Sequence, residues 1–353
     1  MAFTAIDDPE EHFNTVLYTG NDTSQAISGV GFSPGLLFTS GRSISGVGRT
    51  IHDAVRGDAK QLNPNSTAAE SDTPAGVTSL DSDGFTVGGE NSVNDNAATY
   101  VSHSWKMGTT SGISGTGNLT VNGYSFNSTA KQSVIVYTGN GGSSGTYTHG
   151  LGSVPGFIFG KNRDEAGDGW FAYHRKNTAA PETDYLVINT NAATADSDGY
   201  WNDTAPTSTL VTVGSAGEVN RAEQQVAYCF ADVQGYSKFS SYIGNGNADG
   251  PFVYTGFKPA YILLKNTGAA EDWWLMDNKR EGFNSSVSNR GNFAVQPNST
   301  SAENTNSQAD ILSNGFKFRA TSAEVNSSGV TYIYAAFAEA PFVNSNGVPC
   351  TAR

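Results

Sequence analysis

The sequence has only two cysteines in 353 residues, Cys229 and Cys350. Two thiols cannot build a disulfide scaffold, and the chain has no C-x-x-C pair to suggest zinc. Charged residues are also scarce, at 15%, and no stretch carries a helical period of useful length. No run approaches the ~18 apolar residues that a membrane-spanning helix needs. The amino-terminal MAFTAIDDPEEHF lacks the basic and apolar regions of a secretory signal. Folding in a reducing cytoplasm is therefore expected, with no membrane insertion. Basic residues number 20 against 33 acidic ones, a net charge of −13. Such a surface repels phosphate backbones, which argues against a nucleic-acid partner.

What the chain does have is glycine (41 residues), tyrosine (15) and phenylalanine (19), among many Ser, Thr and Asn. Turn residues alternating with aromatic and β-branched runs predict short strands joined by tight turns. A fixed internal period organises them. Each copy opens on a Tyr-x-Gly-Asn turn: Tyr18 to Asn21, Tyr137 to Asn140, and Tyr242 to Asn245. An apolar strand follows near Pro34, Pro155 or Pro259, where the proline, having no ladder donor, should sit at or before the strand's first residue. A third strand begins at Thr50, Trp170 or Trp273, and then comes a polar loop. That loop is almost identical in copies one and three, from Pro64 to Glu70 and from Pro297 to Glu303. Asp-Ser-Asp-Gly turns, or their Leu312–Gly315 counterpart, are expected to lead into another strand. Their glycines lie at 84, 199 and 315, steps of 115 (199 − 84) and 116 (315 − 199). Each copy closes on a long apolar strand: YVSHSWK, VAYCFAD or YIYAAFAE.

The expected fold is all-β, with three tandem antiparallel β-sandwich domains, jelly-roll or concanavalin-like, of roughly 100 residues each. Their boundaries fall at 1–108, 133–236 and 237–353. Residues 109–132 form an ordered β-arm between the first two, with a hairpin expected around Asn122-Gly123. The short join between copies two and three predicts a fixed angle.

Chemistry is harder to find. The five histidines do not repeat with the period: copy three has Met276 and Asp277 where the others have His52 and His174. The Asp-Ser-Asp-Gly turns lack the ladder of a calcium loop and read as side-chain-stabilised turns. There is no phosphate loop and no nucleophile elbow. A glycan-cleaving site needs two carboxylates facing across a groove. Asp272 and Asp277 are the only pair near the repeated tryptophans. No catalytic residue, metal or cofactor is expected. The candidate ligand-binding residues are four aromatics: Trp170, Tyr173, Trp273 and Trp274. Such rings stack on sugars or anchor interfaces, although packing inside or between domains is the commoner use. Strand alternation sends one of Trp273 and Trp274 outward from its sandwich or into a neighbour.

Several segments match a known pattern. Thr148-His149-Gly150-Leu151-Gly152 followed by VPGFIFGKNR, DAVRGDAKQLNPNSTAAE, SLDSDGFTVG, NGYSFNSTA and the closing YIYAAFAEAPF resemble a family of marine bacteriophage virion proteins, often described as tail-fibre or structural proteins. The similarity runs over about residues 14–345. It departs most in copy one, where LLFTSGRS replaces the usual strand. The resemblance implies a location in the virion after assembly in the host cytoplasm, no catalysis, contacts with other virion proteins, and self-association as a homotrimer. A tail fibre or spike that attaches to a host-surface glycan or protein is the leading expectation. A capsid decoration or head fibre held by protein contacts alone is the alternative.

Overall fold

The structure is a computed structural model and describes residues 4–280, 294–305 and 309–350. The third-strand reading in copy three ran on to Glu281 and Gly282, which lie outside those residues. The all-β class holds. Repeat 1 follows a short 3₁₀ turn at Pro9–Glu11 and contains β1 (Phe13–Thr19), β2 (Gln25–Ser28), β3 (Leu36–Gly41), β4 (Thr50–Asp53), β5 (Lys60–Gln61), β6 (Ser71–Asp72), β7 (Val77–Asp81), β8 (Gly84–Val87), the helical turn α1 (Asn91–Asn94) and β9 (Thr99–Trp105). The arm strand β10 (Thr120–Asn127) leads into repeat 2: β11 (Gln132–Thr138), β12 (Gly145–Thr148), β13 (Phe157–Asn162), β14 (Phe171–His174), β15 (Asp184–Val187), β16 (Ala195–Asp196), α2 (Asp198–Trp201), β17 (Leu210–Val213), α3 (Gly217–Asn220) and β18 (Gln224–Phe230). Repeat 3 holds β19 (Ser237–Ile243), β20 (Phe252–Tyr254), β21 (Phe257–Asn266), β22 (Trp274–Asp277), β23 (Ala294–Val295), β24 (Ala309–Leu312), β25 (Gly315–Phe318) and β26 (Thr331–Pro341).

Each repeat has one large and one small antiparallel sheet, and repeat 1 adds the two-residue pair β5-β6. The large sheets run β1-β9-β3-β4, β10-β11-β18-β13-β14-β15-β16 and β19-β26-β21-β22-β23. The small ones run β2-β8-β7, β12-β17 and β20-β25-β24. Apolar side chains fill the space between the two sheets of each repeat: Ile27, Phe85 and Val87 in the first, Tyr147, Trp201 and Val211 in the second, and Val253, Trp274 and Phe316 in the third.

The strands closing each repeat are buried on both faces. Tyr332, Tyr334 and Ala336 of β26 point into their own sandwich, whereas Ile333, Ala335 and Phe337 point out of its back. The same alternation holds in β9 and β18. The three back faces meet in one shared core, which contains Val101, Trp105, Val226, Phe230, Ile333 and Phe337. Thus the repeats are not separate domains in a row. They are grouped around an approximate threefold axis. Trp105, Phe230 and Phe337 occupy the same position in the three closing strands, and their rings form a triangle at 5.5, 5.6 and 6.1 Å. A cavity of about 40 Å³ remains beside them, ringed partly by Pro64, Ile188 and Pro297.

Local expectations mostly hold, with three corrections. Pro34 and Pro155 precede their strands as expected, but Pro259 does not: it sits inside β21, at a register shift where a missing ladder donor is tolerated. Asn122-Gly123 is no hairpin turn. It lies within the continuous strand β10, as a bulge opposite β11, and the chain reverses at residues 128–131 instead. A Cβ on Gly123 would lie 2.9 Å from Val55, so the glycine serves close packing there rather than a turn. In repeat 2 the Asp-Ser-Asp-Gly segment opens α2, not a strand: Ser197 caps the helical turn by accepting from the Gly199 amide.

Candidate functional site

The four aromatic candidates all lie inside. Trp170, Tyr173, Trp273 and Trp274 are 0%, 4%, 1% and 2% exposed. None offers a ring face to a sugar, so the exposed stacking platform gives way to packing. Tyr173 and Trp274 fill their own sandwiches. Trp170 and Trp273 point into the shared core, and each indole N–H donates across a repeat boundary. Trp170 reaches the carbonyl of Asn63 at 2.9 Å, and Trp273 reaches that of Val187 at 3.0 Å. The equivalent residue in repeat 1 is Arg49, which donates to the carbonyls of Gln296 (3.4 Å) and Ser301 in repeat 3. The three residues are held alike at their own amides, by the side-chain oxygens of Asn65, Asn189 and Asn298. Repeat 2 therefore grips repeat 1, repeat 3 grips repeat 2, and repeat 1 grips repeat 3. The ring is closed.

A second cyclic set lies on the following residues. Asp53 accepts from the Tyr228 hydroxyl at 2.8 Å, and Asp277 pairs with His103 at 3.0 Å. His174 completes the set through its Nε2, 3.0 Å from the Tyr334 carbonyl. Lys176 donates its amide to His174 Nδ1, which leaves Nε2 as the donor. Each aspartate is also paired with an arginine three residues on, Arg56 or Arg280, and all four side chains are fully buried. Burial alone would raise the Asp53 and Asp277 carboxyls. The adjacent guanidinium and the incoming hydrogen bonds outweigh it and hold both below the usual range.

Outside this layer the arginines meet a glutamate at two of the three junctions. Glu70 accepts from Arg56 at 2.7 Å and, with both oxygens, from Arg163 of repeat 2 at 2.7 and 3.0 Å. Glu303 accepts from Arg280 at 3.2 Å and from Arg42 of repeat 1 at 2.9 and 3.2 Å. Each network alternates two carboxylates with two guanidiniums, so its formal charge cancels, as buried charge requires. At the third junction Thr194 and Thr267 stand in the same places and meet only through the backbone, at 3.0 Å. The matching backbone bonds, Glu70 to Arg163 and Glu303 to Arg42, measure 2.7 and 2.8 Å.

These ion networks were not picked out from the sequence, yet a signal was present. The near-identical loops of copies one and three both end in the glutamate that clamps the neighbouring repeat. A second missed signal is Val-Asn at 93–94, 219–220 and 325–326. Each asparagine is buried, accepts from the amide of Asn21, Asn140 or Asn245 at 2.8–3.0 Å, and donates to two carbonyls. The preceding valine carbonyl accepts from Tyr18, Tyr137 or Tyr242 at 2.7 Å in every copy. The glycine of each Tyr-x-Gly-Asn turn passes so close to a carbonyl that a Cβ would lie 2.2 Å from its oxygen.

The remaining titratable groups are structural in their surroundings. Burial lowers His52 and His174 to about 3 and His149 to about 4. Cys229, buried in the repeat 2 core, is pushed up to about 12 by the same cause, which leaves a thiol rather than a nucleophilic thiolate. Asp272 accepts from Gln296 and Asn298, and Asp277 is locked by Arg280, so the two do not face one another across an open groove. Asp83 accepts from the amides of Gly29 and Gly31, and Asp81 from Ser79 and Thr86. Among the described residues no three His, Cys, Asp or Glu gather as metal ligands, and no helix is long and apolar enough to cross a membrane.

Fold and junctions together define a class: a single-chain, all-β assembly in which three two-sheet repeats close on themselves around one core. The chain belongs to the family described as Domain of unknown function (DUF7483), whose profile matches residues 8–341 and so takes in all three repeats. No curated protein matches it in sequence.

Proposed function

We propose that the chain is a non-enzymatic structural component of a bacteriophage virion, used in a tail fibre or spike that attaches to a host-surface glycan or protein. The observation that carries this reading is the closed threefold block. Its buried aromatics and ion pairs hold the repeats to one another. A rigid, acidic block of this kind suits a particle component that displays surfaces rather than turning over a substrate. The homotrimer expected from the family resemblance is not needed to make a threefold unit, because one chain already supplies three repeats. One copy per symmetric position on the particle is the stoichiometry we propose.

The test is gold-labelled antibody against the purified protein, applied to intact particles, together with adsorption competition on host cells. Label at the tail and blocked adsorption support attachment. Label spread over the capsid shell with no effect on adsorption supports a decorating role through protein contacts. Absence of label from the particle overturns both.

A further inference from the structure

The three repeats differ most at one edge. In repeat 2 the outer edge of β11 is covered by the arm strand β10, paired from Thr120–Thr138 to Asn127–Gln132. The arm also covers the edge of β12: the Leu119 amide donates to the Thr146 carbonyl at 3.0 Å, and Asn118 exchanges side-chain and backbone bonds with Thr146. The ring of Phe126 lies against Gly150, so close that a Cβ there would come within 3.0 Å. One extended segment, residues 115–127, thus seals two neighbouring edges and plugs the gap between them with an aromatic ring.

In repeat 3 the same two edges are β19 and β20, and among the described residues no arm covers them. Strand alternation turns the main-chain groups of Ser241 and Ile243 outward, and they meet no partner on that side among the described residues. Ile243 is 64% exposed, Phe252 46% and Tyr254 52%, the largest aliphatic and aromatic exposures on the repeat's strands. The place of Phe126 is a cleft of about 350 Å³, lined by Lys238, Tyr254, Gly256 and Phe342 among others. Lys238 is the counterpart of Ser133, the residue paired with Phe126, and Gly256 is the counterpart of Gly150, with the same left-handed backbone (φ +86° against +73°). The Lys238 ammonium sits 5.3 Å from the Tyr254 ring centre, ready to face a second ring. Three positions are occupied from within the chain: Ser237, at the start of β19, is bridged to Val233, the Tyr254 carbonyl accepts from the Lys238 ammonium at 3.0 Å, and the Phe239 amide donates to Asp232 while its carbonyl accepts from Arg175, which is paired with Asp232. In repeat 1 the positions of Phe252 and Tyr254 are Ala26 and Ser28, so no aromatic is offered there, and Leu17 on β1 is the large apolar side chain exposed at that edge.

We propose that repeat 3 is a strand-acceptor site. It takes an extended segment bearing an aromatic residue, presented by another polypeptide, in the way that repeat 2 takes the chain's own arm. The incoming strand pairs with Ser241 and Ile243, lies over Phe252 and Tyr254, and seats its ring in the Lys238–Gly256 cleft. Main-chain bonds supply much of the affinity and the cleft supplies selectivity. Strand addition displaces Asp232 and Arg175 from Phe239, and the two side chains, each about one-third exposed, can stay paired with one another in solvent. The site follows from comparing the repeats and does not depend on which particle carries the chain.

The probe is a synthetic peptide of residues 115–127, added to the full-length protein. Saturable binding is expected, with hydrogen-exchange protection appearing at 241–243 and 252–256. Phe252→Ser with Tyr254→Ser should weaken binding at least tenfold, as should Phe126→Ser in the peptide. Both protein positions are on the surface, so the variant folds. No saturable binding at millimolar peptide, protection confined to 132–138, or undiminished binding by the double variant would each overturn the proposal.

Discussion

At the residue scale, most of the repeated letters are explained by one or two hydrogen bonds. Asn220 alone joins the Asn140 amide to the carbonyls of Gly142 and Gly214. Asn220→Ala leaves those buried groups without partners. It should lower stability by roughly 3 kcal/mol, from orphans of about 1–3 kcal/mol each, read as a fall in the urea midpoint with unchanged slope. His52 is the opposite case, a buried ring whose two nitrogens find no partner among the described residues. Its folded pKa is lowered from 6.5 to about 3, so the unfolded chain binds the extra proton between those values. Stability is then full above pH 6.5 and declines as the pH falls toward 3, by about 1.4 kcal/mol per pH unit for this group. His52→Met, which copies the Met276 of repeat 3, should flatten that slope. An unchanged slope in acid unfolding curves between pH 6.5 and 4 would locate the proton uptake elsewhere. The aspartates act lower on the scale: Asp53 and Asp277, held below their usual values, contribute above about pH 4 and lose that contribution as the pH falls further.

At the element scale, the junctions are built from strand ends and the loops after them. Trp170 separates packing from hydrogen bonding. Trp170→Phe keeps most of the ring volume and frees the Asn63 carbonyl, for an expected loss of about 1 kcal/mol. Trp170→Ala opens the shared core and should cost about 3–5 kcal/mol, measured by thermal or denaturant unfolding. Equal losses for the two variants would mean that the ring's volume counts for little. Much of this level was legible in the sequence. The period, the turns and most strands follow from Gly, Pro and alternation, because those signals are local. The β10 strand at Asn122-Gly123 differs from the expected turn because a neighbour decides it, Val55 pressing on Gly123. The α2 turn differs because the same four letters, Asp-Ser-Asp-Gly, lead into β8 in repeat 1 and open a helical turn capped by Ser197 in repeat 2. The platform reading of Trp170 and Trp273 failed for a related reason. Alternation correctly turned one tryptophan of the Trp273-Trp274 pair away from its own sandwich, but a single sequence does not reveal that the neighbouring repeat stands there to receive it.

At the scale of the whole molecule, the shared core makes the repeats interdependent. Residues 1–108 alone would expose Leu36, Phe38, Ile51, Val101 and Trp105 on one face of a four-stranded sheet, an apolar patch that a soluble fragment does not sustain. That fragment should express as aggregate or as an unfolded chain, whereas the intact protein should unfold in a single transition seen alike by tryptophan fluorescence and far-ultraviolet dichroism. A well-dispersed amide spectrum from 1–108 would show instead that the first repeat folds by itself.

Carrying all three repeats on one polypeptide also frees the sequence from a constraint that binds any homotrimer. When three identical chains share an axis, a substitution on one face appears on all three. Here each face is encoded once and can drift alone. The edge that repeat 2 seals with its arm, repeat 1 presents without an aromatic and repeat 3 leaves open and aromatic has taken three forms on one scaffold, while the triangle of Trp105, Phe230 and Phe337 at the axis has stayed aromatic throughout.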